Sequence, residues 1–227
     1  YRDLGKRLEL DAIVHLGDYI YEYGNDGYGG VREYEPASEI VTLADYRLRY
    51  SQYRRDPDLR ELHRQFPFIT VWDDHETTNN AWRDGAQNHD PSEGAYADRR
   101  KIAAQVYAEW MPIRDQENGA IYRGLAFGDL VDLVMLDTRI VGRDEQGEKR
   151  TDPSVLVETR QLLGLEQENF LRDRMKRSTA RWTVLGQQVV MAPFLTFFNT
   201  DAWDGYHAAR ERVYRMIEEN PGKDVVV

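Results

Sequence analysis

Ala12-Ile13-Val14-His15-Leu16-Gly17-Asp18-Tyr19-Ile20-Tyr21-Glu22 is the stretch on which the fold turns. A short, β-branched apolar run passes directly into a Gly-Asp turn. Unbroken runs of this kind suit strands covered on both faces. A second run, Phe68-Ile69-Thr70-Val71-Trp72, passes in the same way into Asp73-Asp74-His75-Glu76. Further runs occur at residues 133–136, 182–185, 189–191 and 225–227. Helical spacings lie between them. Leu43, Tyr46, Tyr50 and Tyr53 follow a candidate N-cap at Thr42, and Ile102, Val106 and Trp110 are stopped by Pro112. Phe170, Leu171 and Met175 mark a third helix. Tyr206, Ala209, Val213, Met216 and Ile217 mark a fourth, ending before Pro221. Strands alternating with helices predict an α/β layered fold. Without repeats or a Ser/Gly linker, residues 1–227 read as a single domain. The stretches 23–34 and 83–94 read as long loops, where binding chemistry collects.

Composition narrows the function. The chain carries 30 basic and 40 acidic side chains, a formal charge of −10, which argues against a partner that is a nucleic-acid polymer. No apolar run approaches the roughly 18 residues a spanning helix needs. The absence of cysteine removes disulfides, thiol catalysis and thiolate metal sites. The chain opens at Tyr1 and closes inside a valine run that reads as a strand just begun, so it is expected to be a piece of a longer protein, truncated at both ends.

Chemistry is expected at the two strand ends, because ligands in open α/β sheets gather beyond the carboxyl ends of strands. Asp18 on its tight turn offers a carboxylate whose two oxygens can reach two cations. Tyr21 follows three residues later, and its phenolate can join the same cation if a trivalent metal lowers its pKa from about 10. Asp74 can ligate a hard cation, while His75 can give a proton to a leaving group or bond a phosphate oxygen. Asn79 and Asn80 offer neutral oxygens of the kind calcium takes. Asp73 and Asp74, adjacent on extended backbone, point opposite ways, which leaves Asp73 in a supporting role. Arg139, after the run at 133–136, is the candidate catalytic guanidinium at the same sheet edge, with Asp137 supporting the scaffold. Arg47 and Arg54 share a helix face and could hold phosphate, although an ordinary solvated or ion-paired face explains them more simply. The tyrosine stripe reads as core, and His15 as a core or supporting residue.

Two such turns, in this order and each after a strand, are the pattern of binuclear metallophosphatases, which carry Gly-Asp-x-x-Asp and later Gly-Asn-His-Glu. Tyr21 stands here in place of the second Asp, an exchange shared with the purple acid phosphatases, where tyrosinate binds ferric iron. The blocks HLGDYIYEY (15–23), ADYRLRYSQYRRDPDL (44–59), LHRQFPFITVWDDHETTNN (62–80), GDLVDLVMLDTR (128–139), WTVLGQQVVM (182–191) and WDGYHAAR (203–210) resemble the PhoD-like alkaline phosphatase/phosphodiesterase family.

The resemblance implies a four-layer α/β/β/α metallophosphoesterase sandwich. It implies a hydrolase that cleaves phosphomonoesters and phosphodiesters by metal-hydroxide attack, using Fe3+ with Ca2+; without it, oxygen-only ligation would suit calcium, magnesium or manganese. Asp18 would bridge the metals, Tyr21 bind iron, Asp74 bind the second cation, and His75 assist the leaving group. It further implies an exported, extracytoplasmic (periplasmic or secreted) protein acting on a small-molecule phosphoester. The family's earlier metal-binding segment and its later Gly-Asp-x-His segment lie outside this sequence. The competing readings are the same fold acting chiefly on nucleotide or phospholipid diesters, and a non-catalytic metal- or polyanion-binding module.

Overall fold

The computed structural model describes residues 1–7, 9–27, 33–114, 120–149, 151–193 and 199–227. Part of the loop expected at 23–34, residues 28–32, therefore lies outside the described residues. The fold is mixed α/β. The chain divides into two compact units, Tyr1–Ala81 with Ala86–Asp115, and Trp82–Gly85 with Gln116–Val227.

In the first unit β1 (Ile13–His15) is followed by α1 (Leu43–Arg54), α2 (Pro57–Gln65) and β2 (Phe68–Thr70). A short hairpin, β3 (Ala81–Trp82) with β4 (Gly85–Ala86), whose Trp82–Gly85 segment belongs to the second unit, precedes α3 (Tyr96–Trp110). β1 and β2 pair in parallel with Val14 opposite Ile69, and the ladder is continued by the Val71 amide donating to the His15 carbonyl at 3.1 Å. α1 begins where the sequence indicates. The Thr42 hydroxyl accepts from the Asp45 amide, and the Asp45 carboxylate accepts from the Thr42 amide, a complete capping box. Tyr46 and Tyr50 are wholly buried and Tyr53 half-buried, as a core-facing stripe requires. α2 was not anticipated. It starts on Asp56, whose side chain accepts from the Leu59 amide, with Pro57 in the first turn. Leu59 and Leu62 are its buried face.

The second unit is built on a four-stranded sheet in the order β5 (Arg123–Phe127), β6 (Val131–Met135), β7 (Trp182–Gly186), β8 (Asp224–Val226). β5 runs antiparallel to β6, while β6, β7 and β8 are parallel, with Leu133 opposite Val184 and Val184 opposite Val226. α4 (Leu165–Arg177) and α5 (His207–Glu218) bury Leu171, Met175, Val213 and Met216 in one cluster with Val134 and Leu185 of the central strands. Residues 189–191, expected as a strand, are irregular. Glutamine side chains stand in for ladder bonds there. Gln188 accepts from the Thr138 amide at 3.0 Å and donates to the Leu136 carbonyl at 2.8 Å, and Gln187 accepts from the Val189 amide at 3.2 Å. Val189 and Met191 are buried all the same. An apolar run reports burial, and only backbone pairing makes it a strand. Among the described residues no helix is long and apolar enough to cross a membrane.

Candidate metal centre

Parallel pairing of β1 and β2 delivers the turns after both strands to the same end of the sheet. The first turn is sharp. Gly17 has φ +110° and Asp18 has φ +56°, a left-handed conformation that a short polar side chain tolerates better than most. A Cβ on Gly17 would lie 2.2 Å from the Asp73 backbone nitrogen. The two turns are therefore in backbone contact.

Among the described residues, Asp18, Asp74 and His75 each bring a possible ligand atom within 4.8 Å of the others. The Tyr21 hydroxyl donates to Asp18 Oδ2 at 2.8 Å, and its ring stacks on His75 with centroids 4.1 Å apart. Asp74 is buried, and its Oδ2 accepts from the Asn80 amide at 2.6 Å. Asn80 itself has φ +51°, and its Nδ2 donates to Gln87 Oε1 at 2.5 Å, so a cation would take its Oδ1. Carboxylate, phenol, amide oxygen and imidazole together form a donor set that fits hard and borderline cations.

Two glutamates that the sequence reading left without a role complete the arrangement. Glu22, wholly buried, receives His75 Nδ1 at 2.6 Å, the Asn79 amide at 2.7 Å and Asn88 Nδ2 at 2.9 Å. Glu76, also buried, receives the amides of Tyr19 at 2.5 Å, Asp73 at 2.7 Å and Asp18 at 3.1 Å. The signal available was their place, each inside a strand-end turn beside a ligand candidate. Burial pushes His75 down, but the Glu22 hydrogen bond and the charges of Asp74, Glu22 and Asp18 outweigh it and raise its pKa to about 9. Burial followed by the charge of Asp18 raises Glu76 to about 8, against the pull of the Tyr19 and Asp73 amides.

The remaining candidates have protein partners of their own. Arg139 lies in the second unit, buried, with its two Nη atoms on the carboxylate of Asp201 at 2.6 and 2.9 Å. Asp137 supports the local backbone, its Oδ1 accepting from the amides of Arg139 at 2.7 Å and Ile140 at 2.9 Å. Arg47 pairs with Glu109 on the surface, as the ion-paired reading expects, whereas Arg54 is half-buried, donates to the Trp110 carbonyl at the end of α3 and lies over the Tyr19 ring. His15 accepts from the Gly17 amide at 3.3 Å and meets the edge of Tyr19, a supporting role.

The family model described as PhoD-like phosphatase matches residues 1–227. The chain belongs to the PhoD-like phosphatase family. Alkaline phosphatase D of Bacillus subtilis (strain 168) is 40% identical over 250 residues, which take in all of this chain and 42% of that protein. A solved structure titled "Structure of PhoD" superposes with a TM-score of 0.91 at 38% identity, covering 99% of this chain and 46% of that one. This member of the PhoD-like family thus spans less than half the length of the relatives it matches.

Proposed function

We propose that the chain forms the catalytic part of a metal-dependent phosphoesterase of the alkaline phosphatase/phosphodiesterase type, hydrolysing small phosphomonoesters and phosphodiesters. The observation that carries this is the convergence of Asp18, Asp74 and His75 at two strand-end turns of a PhoD-like phosphatase. In this reading Asp18 and Tyr21 would hold the harder cation, Fe3+, and Asp18, Asp74 and Asn80 would hold Ca2+. Cations bound there would lower the pKa of water and offset the charge that develops on the phosphoryl oxygens.

The chain's own residues do the rest. Glu22 holds the His75 ring through Nδ1, so His75 presents Nε2 as the proton donor to the leaving-group oxygen. Arg139, whose guanidinium is oriented by the two hydrogen bonds to the Asp201 carboxylate, is the proposed phosphate-binding residue. The reading extends to a four-layer α/β/β/α sandwich, to both units belonging to one catalytic domain, and to an extracytoplasmic enzyme.

In the full-length protein, Asp18→Ala is expected to lower metal-dependent hydrolysis of p-nitrophenyl phosphate and its bis-ester by on the order of 100-fold or more, with the circular dichroism spectrum kept. Undiminished hydrolysis in that variant sinks the assignment. A visible absorption band that is present in the protein and disappears in Tyr21→Phe tests the tyrosinate–iron pair.

A further inference from the structure

We propose that Glu22 and Glu76 are positioning residues of the metal centre, a crossed pair in which each turn supplies the buried carboxylate that fixes the other. The inference rests on the phosphoesterase reading and adds to it what sets the spacing of the ligands.

Glu22 follows the first turn, yet its partners lie in and beyond the second: His75 Nδ1, the Thr78 hydroxyl at 3.3 Å, the Asn79 amide and Asn88 Nδ2. Glu76 belongs to the second turn, yet two of its three amide donors, Asp18 and Tyr19, belong to the first. A carboxylate withdrawn from water is tolerated only when its oxygens are bonded, and here the side-chain bonds other than that from the Asp73 amide come from segments more than 50 residues away in sequence. An ordinary turn would satisfy these amides locally, with Asx side chains or water. Using one carboxylate for Asp18, Tyr19 and Asp73 ties two backbones together at the point where Gly17 already touches Asp73.

The distance between the Asp18 and Asp74 carboxylates is thus set by protein contacts before any cation arrives. Neither glutamate needs to touch the cation to control its binding. Replacing either by glutamine turns one acceptor oxygen into an amino group facing N–H donors, which loosens the tie while keeping the side chain's size.

The test measures Mn2+ binding by equilibrium dialysis in the full-length, chelator-stripped protein. Glu22→Gln and Glu76→Gln are each expected to raise the Mn2+ dissociation constant about 10- to 100-fold. Glu109→Gln, which loses a surface pair with Arg47, is the control and stays within about twofold. Hydrogen exchange in the metal-free wild type gives a reading that needs no variant to fold. The amides of Asp18, Tyr19, Asp73 and Asn79 are expected to exchange far more slowly than unbonded turn amides. Wild-type affinity in both glutamine variants, or fast exchange at those four amides, overturns the proposal. A wild type that binds no Mn2+ overturns instead the phosphoesterase reading on which it stands.

Discussion

Gly17 is the residue on which the two turns depend most directly. It stands at φ +110°, and an added Cβ would meet both the Asp73 nitrogen at 2.2 Å and the Asp73 Cβ at 2.5 Å. Backbone lies on both sides of the contact, so no side-chain rotation relieves it. Gly17→Ala is expected to cost about 2–4 kcal/mol, combining left-handed strain with overpacking, and to weaken Mn2+ binding in the same variant. Urea unfolding checks the first; a midpoint equal to wild type would count against the backbone contact. Asp18, Tyr21 and Asp74 could be picked out as ligand candidates at this scale because each falls just past a strand end, where ligands of α/β sheets gather. Glu22 and Glu76 stood in the same turns and were not read. What they do is accept hydrogen bonds from distant amides, and no local pattern in the sequence reports a partner that far along the chain.

At the scale of elements, α4 is tied to β6 by charge as well as by apolar contact. Arg174 reaches Asp132 Oδ1 through Nε at 3.0 Å and Nη2 at 2.6 Å, and Asp132 is almost fully buried. The neighbouring strand makes room for the guanidinium: a Cβ on Gly124 of β5 would lie 2.0 Å from Arg174 Nε. Arg174→Met strands a buried carboxylate and is expected to destabilise by about 3–5 kcal/mol, whereas Asp132→Leu with Arg174→Met recovers most of that. Denaturant midpoints of the single and double variants decide it; equal losses in both would show that packing and not charge is at stake. β5 itself escaped the sequence reading because Arg123-Gly124-Leu125-Ala126-Phe127 is partly exposed and includes a glycine, so it lacks the unbroken apolar run that marked β6 and β7. Helices were read better, since their stripes are long. α2 was lost although Asp56-Pro57 followed by Leu59 and Leu62 carried a usable start signal.

For the molecule as a whole, composition and strand–helix alternation are enough to indicate the α/β class, but not the division into two units, because no shift in composition or flexible linker marks it. What spans the first unit instead is a set of histidines whose titration ties stability to pH. His63 stacks on Phe68 at 3.6 Å and bonds the Tyr19 hydroxyl at 2.9 Å. Burial, then the charges of Arg54 and His15, lower its pKa from 6.5 to about 4, and burial lowers His15 as well. Between these limits the unfolded chain binds a proton that the folded chain refuses. The stability this contributes is complete above pH 6.5 and is lost as pH falls toward 4. His75, raised to about 9, works the other way: its contribution is complete below pH 6.5 and is lost as pH rises through 9. Between pH 6.5 and 4 the loss expected of metal-free protein therefore comes from His63 and His15, not from the candidate catalytic histidine. His63→Phe keeps an aromatic ring against Phe68 and removes the titration, so its melting temperature is expected to fall less than wild type between pH 6.5 and 4. Parallel melting curves for the two proteins across that window would take His63 out of the acid limb and leave it to the other buried histidine, His15.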